Sequence, residues 1–217
     1  MSNLTTGVYN APSVGNSSHC ILECGSNYSA YQTTAQAYDS SLVKTSLSAS
    51  TANRCGRGAS KIGNYLVFLS CRTQGGNSEF YDNSNVRTTT TNPYGKVSDQ
   101  VLGVNTDQYA MFFGGNTNNG FNATYSFSDI KVLDSNLVVS SSNMPVVGAG
   151  MQGFAYKTSY ALVCNNYGLA YIYDNNLQVA SSFYLPTAYA MSSYAAATSN
   201  FGLVLQDGKP PTSLIVF

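Results

Sequence analysis

Ten acidic side chains, one histidine and five cysteines are the groups through which this sequence could do acid–base, nucleophilic or metal chemistry. Glycoside hydrolysis needs two carboxyl groups at a set separation. Glu23 is the strongest single candidate, because it interrupts the apolar run "HCILECG" where comparable runs carry Leu69, Phe113, Cys164 and Leu205. Burial at such a place disfavours the charged carboxylate. The sequence offers Glu23 no evident acidic partner. Asp207 lies in the turn signal "QDGK" and Asp107 in the turn before an apolar run. Glu79, Asp99 and Asp129 show no pairing pattern. A cysteine nucleophile needs a histidine base, and His19 cannot serve Cys20, since adjacent strand residues point to opposite faces. Cys20 and Cys24 share a face, but a lone histidine leaves a zinc set short. "GGN" at 114–116 and "GAGMQG" at 148–153 lack the context of a phosphate loop. The expectation is a protein that is not an enzyme and carries no catalytic residue, metal or cofactor.

The elements that hold these residues come from a repeat. "QAYDSSLVKTS" at 36–46 returns as "IKVLDSNLVVS" at 130–140 and as "YIYDNNLQV" at 171–179. A further copy, "YDNSNV", follows Phe80 and reads as one residue longer, with Val86 in the place of Leu42, Leu137 and Leu177. The acids of the four copies are Asp39, Asp82, Asp134 and Asp174. An Asp at the start of a turn caps it through its side chain, so these four are assigned to structure. An apolar run precedes each copy, and the ring residues of the runs align as His19, Tyr65, Tyr109, Tyr160 and Phe201.

Five apolar runs but four acidic phrases leave one phrase to find. Read end to start, "SLIVF" and "MSNLTT" supply it, with Phe217, Met1 and Leu4 in the places of Leu133, Asp134 and Leu137. The anchors Tyr38, Tyr81, Leu133, Tyr173 and Phe217 lie 43, 52, 40 and 44 residues apart. That period allows four short strands per unit and reads as propeller blades. The expectation is a single all-β domain over 1–217: a five-bladed β-propeller of four-stranded blades, with the terminal segments sharing a blade so that no edge is left open. The apolar run is expected innermost, the Tyr-Asp strand next, and segments such as "RGASKIGN" outermost.

Only 9% of residues are charged and the formal net charge is zero, so nothing favours nucleic acid as a partner. The 17 Tyr and 19 Gly favour strands and tight turns. "MSNLTTGVYN" has no signal-peptide pattern, and no apolar run approaches membrane-helix length. Synthesis in the cytoplasm without membrane insertion is expected. The odd, irregularly spaced cysteines read as free thiols of a reducing compartment.

The stretch "AYDSSLVKTSLSASTANRCGRGASKIGNYLVF" (37–68), with Arg54, Gly63, Asn64 and Tyr65, resembles the kelch-like propeller repeats of bacterial and phage proteins. "MFFGG" keeps that family's glycine pair at Gly114 and Gly115. The other units depart from the pair, and the Trp of eukaryotic kelch repeats is absent. The resemblance implies a propeller fold and a context of phage tail or surface-adhesion proteins. It leaves function open, because propellers host many functions.

Blade-to-blade differences point to recognition. "RCGR" (54–57), "SDQVL" (98–102), "AGMQG" (149–153) and "AMSSY" (190–194) vary at one shared place. They bring Arg54, Arg57, Gln100, Gln152 and Tyr194, a mixture suited to binding; unconstrained loops drift in the same way. The long third unit holds "GGNTNNGFNATYSFSDI" (114–130) with Phe121 and Tyr125, where rings flanked by Asn suit sugars and also suit a plain hairpin. The leading expectation is a non-catalytic module of a phage tail or cell surface that recognises a surface glycan or protein, or joins other virion proteins, in multiple copies. A bacterial carbohydrate-active enzyme or lectin and an intracellular interaction scaffold are the alternatives.

Overall fold

A computed structural model describes residues 11–23, 33–49, 58–69, 78–90, 101–118, 124–148, 151–156, 158–165, 168–185, 193–197, 201–206 and 214–216. These residues are all-β, without a helix. The chain divides into two compact units, Met1–Asp99 with Thr117–Tyr125, and Gln100–Asn116 with Ser126–Phe217.

The first unit holds two antiparallel four-stranded sheets in simple meander order. One is β1 (Ser13–Gly15), β2 (His19–Glu23), β3 (Ala35–Asp39) and β4 (Lys44–Ser46). The other is β5 (Ala59–Ile62), β6 (Tyr65–Phe68), β7 (Ser78–Tyr81) and β8 (Arg87–Thr90). β1 packs on β5 and β6. Ile21 and Ala37 of one sheet meet Leu66, Phe68 and Tyr81 of the other in a single core.

The second unit continues the scheme. β9 (Leu102–Asn105), β10 (Ala110–Phe113), β12 (Thr124–Leu133) and β13 (Val139–Gly148) pair in that order. A short β11 (Asn116–Asn118) adds to β12. Much of the segment singled out at 114–130 is therefore a hairpin that extends this sheet. Its glycine pair has a backbone reason, since Gly114 and Gly115 both have positive φ, 59° and 97°. β14 (Gln152–Tyr156), β15 (Tyr160–Cys164), β16 (Leu169–Asp174) and β17 (Val179–Tyr184) form the next sheet. β18 (Ser193–Ala197), β19 (Gly202–Gln206) and β20 (Leu214–Val216) form the last. β14 packs on β9 on one side and on β18 on the other. Gly202 allows this approach, because a Cβ there would run into the Phe154 ring.

Successive antiparallel four-stranded meanders, packed side by side within each unit, are the blades of a β-propeller, as the repeat implied. Two points are corrected. Four sheets have the four-stranded blade pattern, not five. The last has three strands among the described residues, and the strand expected from "MSNLTT" falls on residues outside them. The strand order within a sheet also differs. The apolar run is not an edge strand; it is second, between "ASKI"-type strands and the Tyr-Asp strand. Neighbours on both edges and packing on both faces explain why β10 is buried at every residue. The outer edge is the Ser/Thr-rich strand, exposed along nearly all of β17.

Candidate functional site

The four aspartates do what a turn requires. Asp39 Oδ1 accepts the N–H groups of Ser41 and Val43 at 2.9 and 2.8 Å. Asp82 accepts those of Ser84 and Val86 at 2.8 and 2.9 Å. Asp134 and Asp174 repeat the pattern with Asn136 and Val138, and with Asn176 and Gln178. Each turn closes with a backbone bond from the third residue onward to the Asp carbonyl. That third residue is left-handed: Leu42, Asn85, Leu137 and Leu177 have φ between 60° and 61°. This is a type I turn followed by a one-residue bulge. The second copy has no extra residue. Asn85, not Val86, corresponds to the leucines.

The ring residues align in the structure as they do in the repeat. His19 pairs with Asp39 and Tyr160 with Asp174. Glu23, Phe113 and Cys164 accordingly share one position at the end of the second strand. His19, Ile21 and Glu23 are the buried side of β2, and Cys20 and Leu22 are its half-buried side. Cys20 and Cys164 are free thiols, and Cys24, Cys55 and Cys71 lie outside the described residues. Burial pushes the Cys164 thiol up to about 12, which suppresses its nucleophilic form.

Glu23 and a second acid, Glu79, both act on Tyr81. Glu23 Oε1 accepts the hydroxyl of Tyr81 at 2.9 Å. Glu79 stands two residues before Tyr81 on β7, on the same face. Both carboxylates are fully buried. Arg87 lies directly opposite Tyr81 on β8 and diagonal to Glu79, and its guanidinium reaches Glu79 at 3.5 Å. A second guanidinium bond goes to the Ala49 carbonyl. Burial, then the charges of Glu23 and Glu79 and the bond to Glu23, hold the Tyr81 phenol far above its usual range. Phe68 packs edge-on against the same ring, with centroids 5.8 Å apart.

The cluster is thus two carboxylates, a phenol and a guanidinium between two sheets. A glycosidase would need both carboxyl groups open to substrate and water. Here one carboxylate binds the phenol, the other the guanidinium, and both have no exposed surface. The sequence named Glu79 as an unpaired acid and Tyr81 as a repeat anchor, and it gave no sign that Arg87 joins them. The available signal was an acid two residues before an aligned tyrosine, where the other copies have Gln36, Lys131 and Tyr171.

Of the recognition candidates, the structure describes the backbones of three. Arg54, Arg57, Gln100 and Phe121 lie outside the described residues. The backbones of Tyr125, Gln152 and Tyr194 lie in β12, β14 and β18. Gln152 opens β14 opposite Cys164, and Tyr194 faces Leu205. Leu102, just after Gln100, pairs with Phe113, which leads into the 114–130 hairpin. Leu102 and Phe113 therefore meet at one end of the third sheet. No protein-family model matches the chain, and no curated protein matches it.

Proposed function

We propose that this protein is a non-catalytic recognition module of the kelch-like kind, acting as a phage-tail or surface component that binds a cell-surface glycan or protein. The supporting observation is the state of the Glu23–Glu79 pair, whose two carboxylates are buried and engaged between sheets. Binding falls instead to the stretches that vary between units, with Arg54, Arg57, Gln100, Gln152 and Tyr194, and to Phe121 and Tyr125 of the long third unit. A chain of zero net charge gains little from long-range steering. Its affinity comes from stacking and hydrogen bonds, multiplied by several copies on one particle. Such a module is made in the cytoplasm and assembled into a virion or onto a surface.

The test is adsorption of labelled protein to a panel of bacterial cells and to an immobilised glycan panel. Alanine at Arg54, Gln100, Gln152, Tyr194, Phe121 and Tyr125 together should abolish adsorption and leave the melting temperature nearly unchanged. Adsorption that survives all six changes overturns the proposal.

A further inference from the structure

The opposite strand ends of the second unit carry a different constellation. Asp107 sits in the turn between β9 and β10. Thr106 Oγ1 shapes that turn by accepting the N–H groups of Gln108 and Tyr109 at 3.3 and 3.2 Å. The Asp107 N–H donates to the Thr158 carbonyl at 2.6 Å, which ties the next sheet's first turn to it. Asn175 follows Asp174, the strand partner of Tyr160, and its amide donates to Asp107 Oδ1 at 2.8 Å. Asp107 is exposed, and Tyr160 is 36% exposed. One carboxylate and one amide are thereby held together by these turns, and Tyr160 lies across the strand pair from Asp174, the residue next to Asn175.

We infer that Asp107, Asn175 and Tyr160 form a binding site for a neutral saccharide. A sugar hydroxyl both donates and accepts. The Asp107 carboxylate takes a hydroxyl proton in a charge-assisted bond, and the second N–H of the Asn175 amide gives one back. The bond between the two side chains fixes them before a ligand arrives, which lowers the ordering cost of binding. Asn175 Oδ1 is buried, so this amide meets a ligand through nitrogen. The exposed Tyr160 ring offers an apolar face to the C–H side of a sugar. The equivalent place in the first unit is built differently: Asn16 donates to Asn83 at 3.2 Å, and Asn83 to Asn64 at 3.2 Å. Those amides serve one another, and no carboxylate stands among them.

The site shares only a ligand class with the proposed function and uses other residues at the other strand ends, so the two fail separately. The experiment is saturation-transfer NMR on the full chain with galactose, N-acetylglucosamine, maltotriose and chitotriose as probes. Transfer to the ring C–H protons of at least one probe is expected. Asp107→Ala and Tyr160→Ala should each weaken that binding roughly tenfold or more, the size of one lost charge-assisted or stacking contact. Tyr65→Ala should leave it unchanged. Tyr160 is exposed, so its alanine variant tests the site even if Asp107→Ala disturbs the turn. Absence of transfer to all four probes overturns the inference, as does transfer that both variants leave intact.

Discussion

Tyr81 and Tyr173 occupy the same position in two sheets, yet one donates to a buried carboxylate and the other has no hydrogen-bond partner. The residues around them correspond one for one. Glu23 faces Tyr81; Phe113, at the position of Glu23, lies with its ring centroid 5.0 Å from that of Tyr173. Glu79 corresponds to Tyr171, whose ring is 6.3 Å from Tyr173. Arg87 corresponds to Val179. The first unit joins its sheets through a charged network, the second through aromatic packing. One backbone position therefore accepts two opposite chemistries, provided every partner changes with it. A buried charge left without its partner is what neither arrangement tolerates.

The largest effect should come from removing the centre of either contact. Glu23→Ala strands the buried Tyr81 hydroxyl and leaves a cavity beside it, at a cost of about 2–5 kcal/mol. Phe113→Ala opens a cavity in the second unit and costs about 3–5 kcal/mol. Chemical denaturation of both variants checks this, and a small loss for Glu23→Ala would mean that the network contributes little.

The two tyrosines separate the contacts more sharply. Tyr81→Phe should cost about 1–3 kcal/mol, because Glu23 loses a buried donor. Tyr173→Phe should be neutral or stabilising, since it removes a buried hydroxyl that bonds to nothing. Equal losses for the two would erase the distinction.

Alkali gives a third comparison. Burial and two carboxylates raise the Tyr81 phenol above its unfolded value. Burial, then Tyr171, raises Tyr173 as well. A group raised on folding contributes stability that is fully present below the unfolded value, about 10 for tyrosine, and is lost as pH rises above it. Melting temperature should hold from pH 7 to 9 and fall beyond. Tyr81→Phe should flatten that alkaline fall, and an unchanged slope would argue against the network.

The smallest effect concerns the turns. Leu42 holds a left-handed conformation that asparagine tolerates better, and it is 49% exposed. Leu42→Asn should stabilise by up to about 1 kcal/mol, and Asn85→Leu should destabilise by a similar amount. Calorimetry should show opposite shifts of a few degrees, roughly 2–4 °C per kcal/mol in a chain of this size.

The turns were legible because an aspartate that accepts two backbone N–H groups must stand at a fixed distance from the residues it caps. The antiparallel meander followed from the same repeat. Asn85 was misaligned because apolarity matched Val86 to the leucines, whereas the position is chosen by backbone angle. The strand order misled because "YLVF" and "AMFF" read as an innermost strand, when their uniform burial comes from neighbours on both sides. The contact of Glu23 with Tyr81 was illegible for a plainer reason. The two lie on different sheets, and nothing local to either one shows that the other comes within hydrogen-bond reach. Of the proposed binding residues, Gln152 opens β14 and Tyr194 is the second residue of β18.

The most direct measurement is adsorption and glycan turnover by Glu23→Gln beside the unchanged protein, with melting followed in parallel. A carboxylate that joins two sheets should, on becoming an amide, lower the melting temperature and leave adsorption intact below it, with no turnover by either protein. Hydrolysis of a glycan by the unchanged protein, lost in Glu23→Gln at an unaltered melting temperature, would contradict the recognition role and make Glu23 a catalytic acid.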